Sequence, residues 1–231
     1  MSAGAVLAAD PLLGALSQLP ADALSRVALS GSATCHLLLG VHNGRQSAPY
    51  GRAVYVEAIT DGDVSRLVAS LGATRANWKP HPGISISFVG TSEFGETERL
   101  RTAAEYSTLL TQRVEVASGL FVRVVRPAAQ FALWGALLLE RHGGDSATLA
   151  GEEMLEVVLI GPPWHDDVRQ APAELRVLIA EGAGALLADR ALFRYVRNVF
   201  PASRSDPGIL IAVRHAIAAT VAAATGPAQP A

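Results

Sequence analysis

An α+β fold follows from three features of the sequence. Strand-like apolar runs fall in the first two thirds of the chain, 3.6-residue patterning dominates the last third, and glycine and proline separate the two regimes. The expected architecture is a small, mostly antiparallel sheet in the N-terminal two thirds with a helical C-terminal layer. With 231 residues, 50% of them hydrophobic, the chain can bury a sizeable core. It reads as a single domain over 1–231, with a sub-boundary near 161–171 between an α+β part (1–160) and a helical part (172–225), and a frayed tail at 226–231.

Asp10-Pro11 form a cap and first-turn pair, after which Leu12, Leu16 and Leu19 share one helical face until Pro20. A short second helix follows over Asp22 to Val27. Ser30-Gly31-Ser32 breaks the pattern, and Ala33 to Val41 then reads as a strand buried on both faces. Arg52 to Thr60 forms its antiparallel partner, across a loop that opens at Asn43-Gly44. Asp61-Gly62-Asp63 caps a helix bearing Val64, Leu67, Val68 and Leu71. Trp78-Lys79-Pro80-His81-Pro82 reads as a loop because proline donates nothing to a ladder, and Ile84 to Phe88 alternates as a half-buried strand.

The run Glu96 to Arg113 has its acids first and its arginine last, as the helix dipole prefers. Val114 to Val125 returns to strand character, with Gly119 marking a turn or bulge, and Pro127 starts a helix apolar enough to sit in the middle of the fold. Gly143-Gly144-Asp145 reads as a loop and Met154 to Ile160 as a last strand. Helical patterns then occupy Pro172 to Glu181, Ala185 to Val199 and Pro207 to Ala224, punctuated by Gly182-Ala183-Gly184 and Pro201.

Only 17% of the residues are charged and the formal net charge is −2, which argues against polyanion binding over the whole surface and favours a chain that hides apolar surface in copies of itself. The one cysteine, Cys35, excludes an intramolecular disulfide and a Cys-rich zinc site, so a reducing, cytoplasmic setting is expected. No secretory leader is expected, because the first residues lack a basic segment, and no membrane span either: Pro127 to Leu139, the nearest candidate, is too short. Walker, dinucleotide, Gly-x-Ser-x-Gly and HExxH motifs are absent, and no metal or cofactor is expected. Cys35-His36 cannot pair as nucleophile and base if they lie on a strand, where neighbours point to opposite faces.

Two constellations remain. In Asp189 to Phe200, Arg190, Arg194 and Arg197 fall at helical spacing as one exposed stripe, with Arg204 beyond. Leu186, Leu187, Phe193, Val196 and Phe200 turn inward and Tyr195 lies between. Arg169, Arg176 and Arg214 make this third of the chain locally basic, although Asp189 and Glu181 are near enough to neutralise part of the stripe. Guanidinium groups suit bidentate contacts with phosphate. The expectation is a non-enzymatic, self-associating structural protein, a coat-like or RNA-coating subunit that holds RNA or another polyanion on an arginine-bearing helix. In composition only, its alanine, proline and serine content resembles that of the Pro-Ala-Ser-rich RNA-coating proteins of some fungal viruses; no motif carries the resemblance. The alternative is a small-molecule enzyme or binding module whose site lies in the loops around Trp78-His81 and Trp164-His165-Asp166-Asp167, with the imidazoles and carboxylates as acid, base or metal ligands.

Overall fold

The computed structural model describes residues 11–31, 34, 37–38, 54–60, 62–70, 77–81, 84–95, 97–140, 145–158, 162–200, 206 and 208–227. They form two compact units, Met1–Glu96 with Ser107–Arg126, and Thr97–Tyr106 with Pro127–Ala231. The fold is α+β, with the sheet in the N-terminal part and helices at the C-terminus.

The first unit holds a six-stranded sheet built from β1 (Ala28–Gly31), β2 (Val54–Thr60), β3 (Asn77–His81), β4 (Ile84–Gly90), β5 (Thr111–Ala117) and β6 (Leu120–Val125), in the order β3-β4-β2-β1-β6-β5. Pairs β1/β2, β3/β4 and β5/β6 are antiparallel, and β1/β6 and β2/β4 are parallel. One face carries Leu29, Ala58, Ile86, Phe88, Val122 and Val124. It packs with Leu12 and Leu16 of α1 (Pro11–Leu16), Ala23 and Leu24 of α2 (Ala21–Ser25), and Leu67 and Val68 of α3 (Val64–Ser70) into one apolar core. Each fully buried leucine in it contributes roughly 1.5–3 kcal/mol. Asp63 caps α3 through the amide of Arg66, as its position in the sequence predicts.

Two expectations for this unit are corrected. The strand lies before the Ser30-Gly31 break, not after it. Thr34, Leu37 and Leu38 are helical, while β1 is a four-residue strand, buried throughout and ending at Gly31 with φ 71°. The leucine run lacks the β-branched residues that favour a pleated strand, and leucine is a strong helix former. Trp78 to His81 is likewise no loop but edge strand β3, with an irregularity between Trp78 and His81. An edge position tolerates Pro80 because one side of its backbone needs no ladder donor.

The second unit is helical. α4 (Glu98–Leu109) begins in it and ends in the first unit, and it is followed by β5 and β6, whose turn uses Gly119 at φ 74°. α5 (Pro127–Glu140) is buried from Pro127 to Leu138. α6 (Asp145–Val158), α7 (Pro162–Gln170), α8 (Ala173–Ala188), α9 (Leu192–Val199) and α10 (Gly208–Thr225) complete the unit. Met154 to Val158 therefore belongs to a helix rather than a strand, because a short apolar run buried all round has no periodicity to separate the two. Asp145 starts that helix rather than ending a loop.

Gly182-Ala183-Gly184 does not interrupt α8. A Cβ on Gly182 would stand 2.7 Å from the Gly135 Cα, so the glycine marks where α5 and α8 touch backbone to backbone. A true break follows at Asp189, whose carboxylate accepts the Ala191 amide at 2.7 Å and the Tyr195 hydroxyl at 3.0 Å. α10 is long and apolar enough to cross a membrane by length and composition, and it carries Arg214 and His215. Val213, Ile217 and Thr220 form its buried side, and near its end the Arg176 guanidinium donates to the carbonyls of Ala224, at 2.9 Å, and Gly226.

The two α8 glycines should respond oppositely to alanine. Gly182→Ala forces the α5/α8 contact apart and should cost about 1–3 kcal/mol, the usual penalty of overpacking. Gly184→Ala meets nothing within 4 Å and should gain about 0.5–1 kcal/mol from helix propensity. Urea denaturation of both variants measures the difference.

Candidate functional site

α9 is a short amphipathic helix. Leu192, Tyr195, Val196 and Val199 are buried at the i, i+3, i+4, i+7 spacing, leaving Phe193, Arg194 and Arg197 outside. Two contacts fix it to α6. The Tyr195 ring lies against Gly151, where a Cβ would come within 2.5 Å of Tyr195 Cε2, and Asn198 Nδ2 donates to the buried Glu152 at 2.6 Å. Burial first, and then the hydrogen bond to Asp189, raises the Tyr195 pKa above the ordinary tyrosine value, so the hydroxyl stays a donor at neutral pH.

The outer side of α9 is cationic. Arg194 and Arg197 are exposed, and Arg190 is exposed in the turn just before the helix rather than within it. The Arg197 guanidinium lies 5.3 Å from the ring centre of Phe193, and that of Arg194 lies 5.7 Å from Tyr195, both within cation–π range. Phe193 is 50% exposed rather than turned inward. The break at Asp189 resets the helical phase, so the inward face extrapolated from Leu186 and Leu187 does not carry through to position 193. Tyr195 takes the inward position instead.

Both acids expected to offset the stripe have partners of their own. Asp189 holds the Ala191 amide and the Tyr195 hydroxyl. Glu181 accepts Arg99 Nε at 3.0 Å, and the same guanidinium donates to Glu140 at 2.7 Å. Arg204 lies outside the described residues.

The residues of the alternative site are distributed differently. Trp78 and His81 lie on edge strand β3 of the first unit, whereas Trp164 to Asp167 lie in helix α7 of the second, so neither group lies in a loop. Trp164 is fully buried; its indole Nε1 donates to Thr220 Oγ1 at 3.0 Å and its ring centre lies 5.1 Å from that of Phe131. Asp167 accepts the Ala128 amide at 2.8 Å and so caps α5. Asp166 pairs with Arg169 one turn along the helix. The His165 ring is partly buried, with Nε2 enclosed and without a hydrogen-bond partner. Among the described residues no three His, Cys, Asp or Glu side chains gather as metal ligands would. Cys35, His36, His42 and His142 lie outside the described residues.

The sequence reading overlooked the second face of the sheet. The strand registers place Ser87, Glu57 and Ser30 in one row across β4, β2 and β1, and Ser30 donates to Glu57 at 3.1 Å. An adjacent row runs Val89, Ile59, Ala28, Arg123 and Arg113 across β4, β2, β1, β6 and β5. The signal was present in Arg113-Val114-Glu115 and Phe121-Val122-Arg123, where polar and aromatic residues alternate with valine.

His165 provides a pH test. Desolvation, then the Arg169 charge, lowers its folded-state pKa below 6.5, against a smaller opposing effect of Asp166. As pH falls through 6.5 toward the lowered folded value, the unfolded chain binds the proton first and stability drops; below the folded value the contribution levels off. His165→Gln should therefore show a smaller fall in urea midpoint between pH 7 and pH 5 than the unmodified chain.

No protein-family model matches the chain, and neither does any curated protein or solved structure, so its function is read from the geometry of these residues.

Proposed function

We propose that the chain is a non-enzymatic assembly protein, coat-like in character, that self-associates and holds RNA or a similar polyanion on the outer side of α9. One observation carries the reading. Arg190, Arg194 and Arg197 are exposed around an exposed phenylalanine, with the Arg197 guanidinium 5.3 Å from its ring centre. Guanidinium groups make forked contacts to phosphate, and an aromatic ring among them offers a stacking surface worth roughly 1–3 kcal/mol per base. Self-association is supported by the low charge and by the exposed side chains of Leu109, Val177 and Ile211.

Fluorescence anisotropy of a labelled single-stranded RNA across a salt series tests the polyanion part. Arg190→Ala/Arg194→Ala/Arg197→Ala should weaken binding about 10–100-fold at low salt and reduce the slope of log K against log salt by about 2, at ~0.7 per phosphate contact. Phe193→Ala should weaken binding with the slope unchanged. No binding at low salt, or binding unaltered in the triple variant, rejects this role for α9. Light scattering tests assembly: a mass that stays monomeric at the highest attainable concentration rejects it.

A further inference from the structure

We infer that Arg113 and Arg123 form a second anion site, on the sheet of the first unit, that binds a dianionic phosphate. The two arginines are direct partners in the β5/β6 register, so their side chains leave the same face about 5 Å apart at Cβ. Like charges placed opposite one another are unfavourable, and neither arginine makes an ion pair with a described acid, although Glu115 and Glu57 stand on the same face. Glu115 is the carboxylate on their face of β5, and its Oε1 accepts the Gly119 amide at 2.9 Å, closing the hairpin. Arg123 Nε is enclosed and has no hydrogen-bond partner, beside the fully buried Ala28 of β1. Arg113 is held in place: its guanidinium lies 4.1 Å from the ring centre of Phe121, a residue 38% exposed.

The site therefore offers two guanidiniums that make no ion pair with a described acid, one positioned by an aromatic ring and one half-buried. Two such forks match a tetrahedral oxyanion, and a phosphate monoester or free phosphate brings more negative charge to the pair than a carboxylate would. The exposed part of Phe121 adds an apolar ledge for whatever the phosphate carries.

Calorimetric titration of the full chain with inorganic phosphate and with adenosine 5′-monophosphate, in chloride buffer at matched ionic strength, tests this. Both should bind, and Arg113→Gln/Arg123→Gln should weaken both at least tenfold. If the nucleotide binds tighter and Phe121→Ala erases the difference, the source is a phosphomonoester on an aromatic base; equal affinities assign free phosphate. Without phosphate, Arg123→Gln should raise the urea midpoint, because it removes the repulsion from Arg113; a lowered midpoint would mean that the arginine serves the fold, and would overturn the proposal. Absence of phosphate binding to the unmodified chain, or equal binding by the double variant, would also overturn it. The α9 triple variant should keep its phosphate affinity. Loss of phosphate binding there, with retention in the sheet variant, moves the site to α9 and leaves the RNA reading standing while this one falls.

Discussion

The backbone contact of Gly135 with Gly182 sets the spacing on which the helical unit depends. Neither position has room for a methyl group, and Met154 of α6 closes the side of the crossing, its Cε about 3.5 Å from where those methyls would be. α5 and α8 are drawn together by that geometry, with α6 against the side of the crossing, and α5 is buried from Pro127 to Leu138 and α6 from Ala150 to Val158. A second small residue, Gly151, then accepts the Tyr195 ring and seats α9. The direction in which Arg194 and Arg197 point is thus a consequence of close packing two helices away. Interiors packed to this density transmit a displacement rather than absorb it.

Where the acids go decides which cations remain available. With few charges in the chain, each pairing matters. Arg26 is taken by Asp22, Arg169 by Asp166, and Arg99 by both Glu140 and Glu181, which raise its pKa further above its already high value. Arg176 is spent on carbonyls at the end of α10. Glu152 accepts from Asn198, and Asp167 accepts from the first turn of α5. Asp189 stands at the start of the stripe's own segment. Its carboxylate is committed to a backbone amide and a hydroxyl, the ordinary use of an aspartate at a helix start.

The fold class was legible because it depends on where periodicities occur. The helix at Pro127, the Gly119 turn, the alternation of Ile84, Ile86 and Phe88 and the Asp63 cap all rest on local chemistry. What failed were short apolar runs. Leu37-Leu38, partly buried against the sheet core, and Met154 to Val158, buried throughout, are too short to report their period, and an edge position cannot be read at Pro80 until strand order is known. The stripe was legible as residue types, but its phase was not, because a helix break at Asp189 rotates everything after it. Arg123 opposite Arg113 was invisible for a different reason: register is a tertiary fact.

Both phenylalanines left exposed among the described residues, Phe121 and Phe193, lie under an arginine, one in each unit. Packing does not account for them. An exposed cation–π contact is worth about 0.5–1 kcal/mol, less than the roughly 1.5–3 kcal/mol that burying the ring would gain. Nor does solubility, which an exposed ring opposes. A ring kept at the surface beneath a guanidinium does have a use in holding that guanidinium extended and desolvated on one side, so that less side-chain freedom is lost when an anion arrives. On α9 this arrangement stands among three cations, which suits successive phosphates of a strand. On the sheet it stands beside one further arginine with an enclosed, unused donor, which suits a single compact dianion. The two arrangements differ in the backbone beneath: a helix spreads its arginines along a line, whereas paired strands bring two of them face to face.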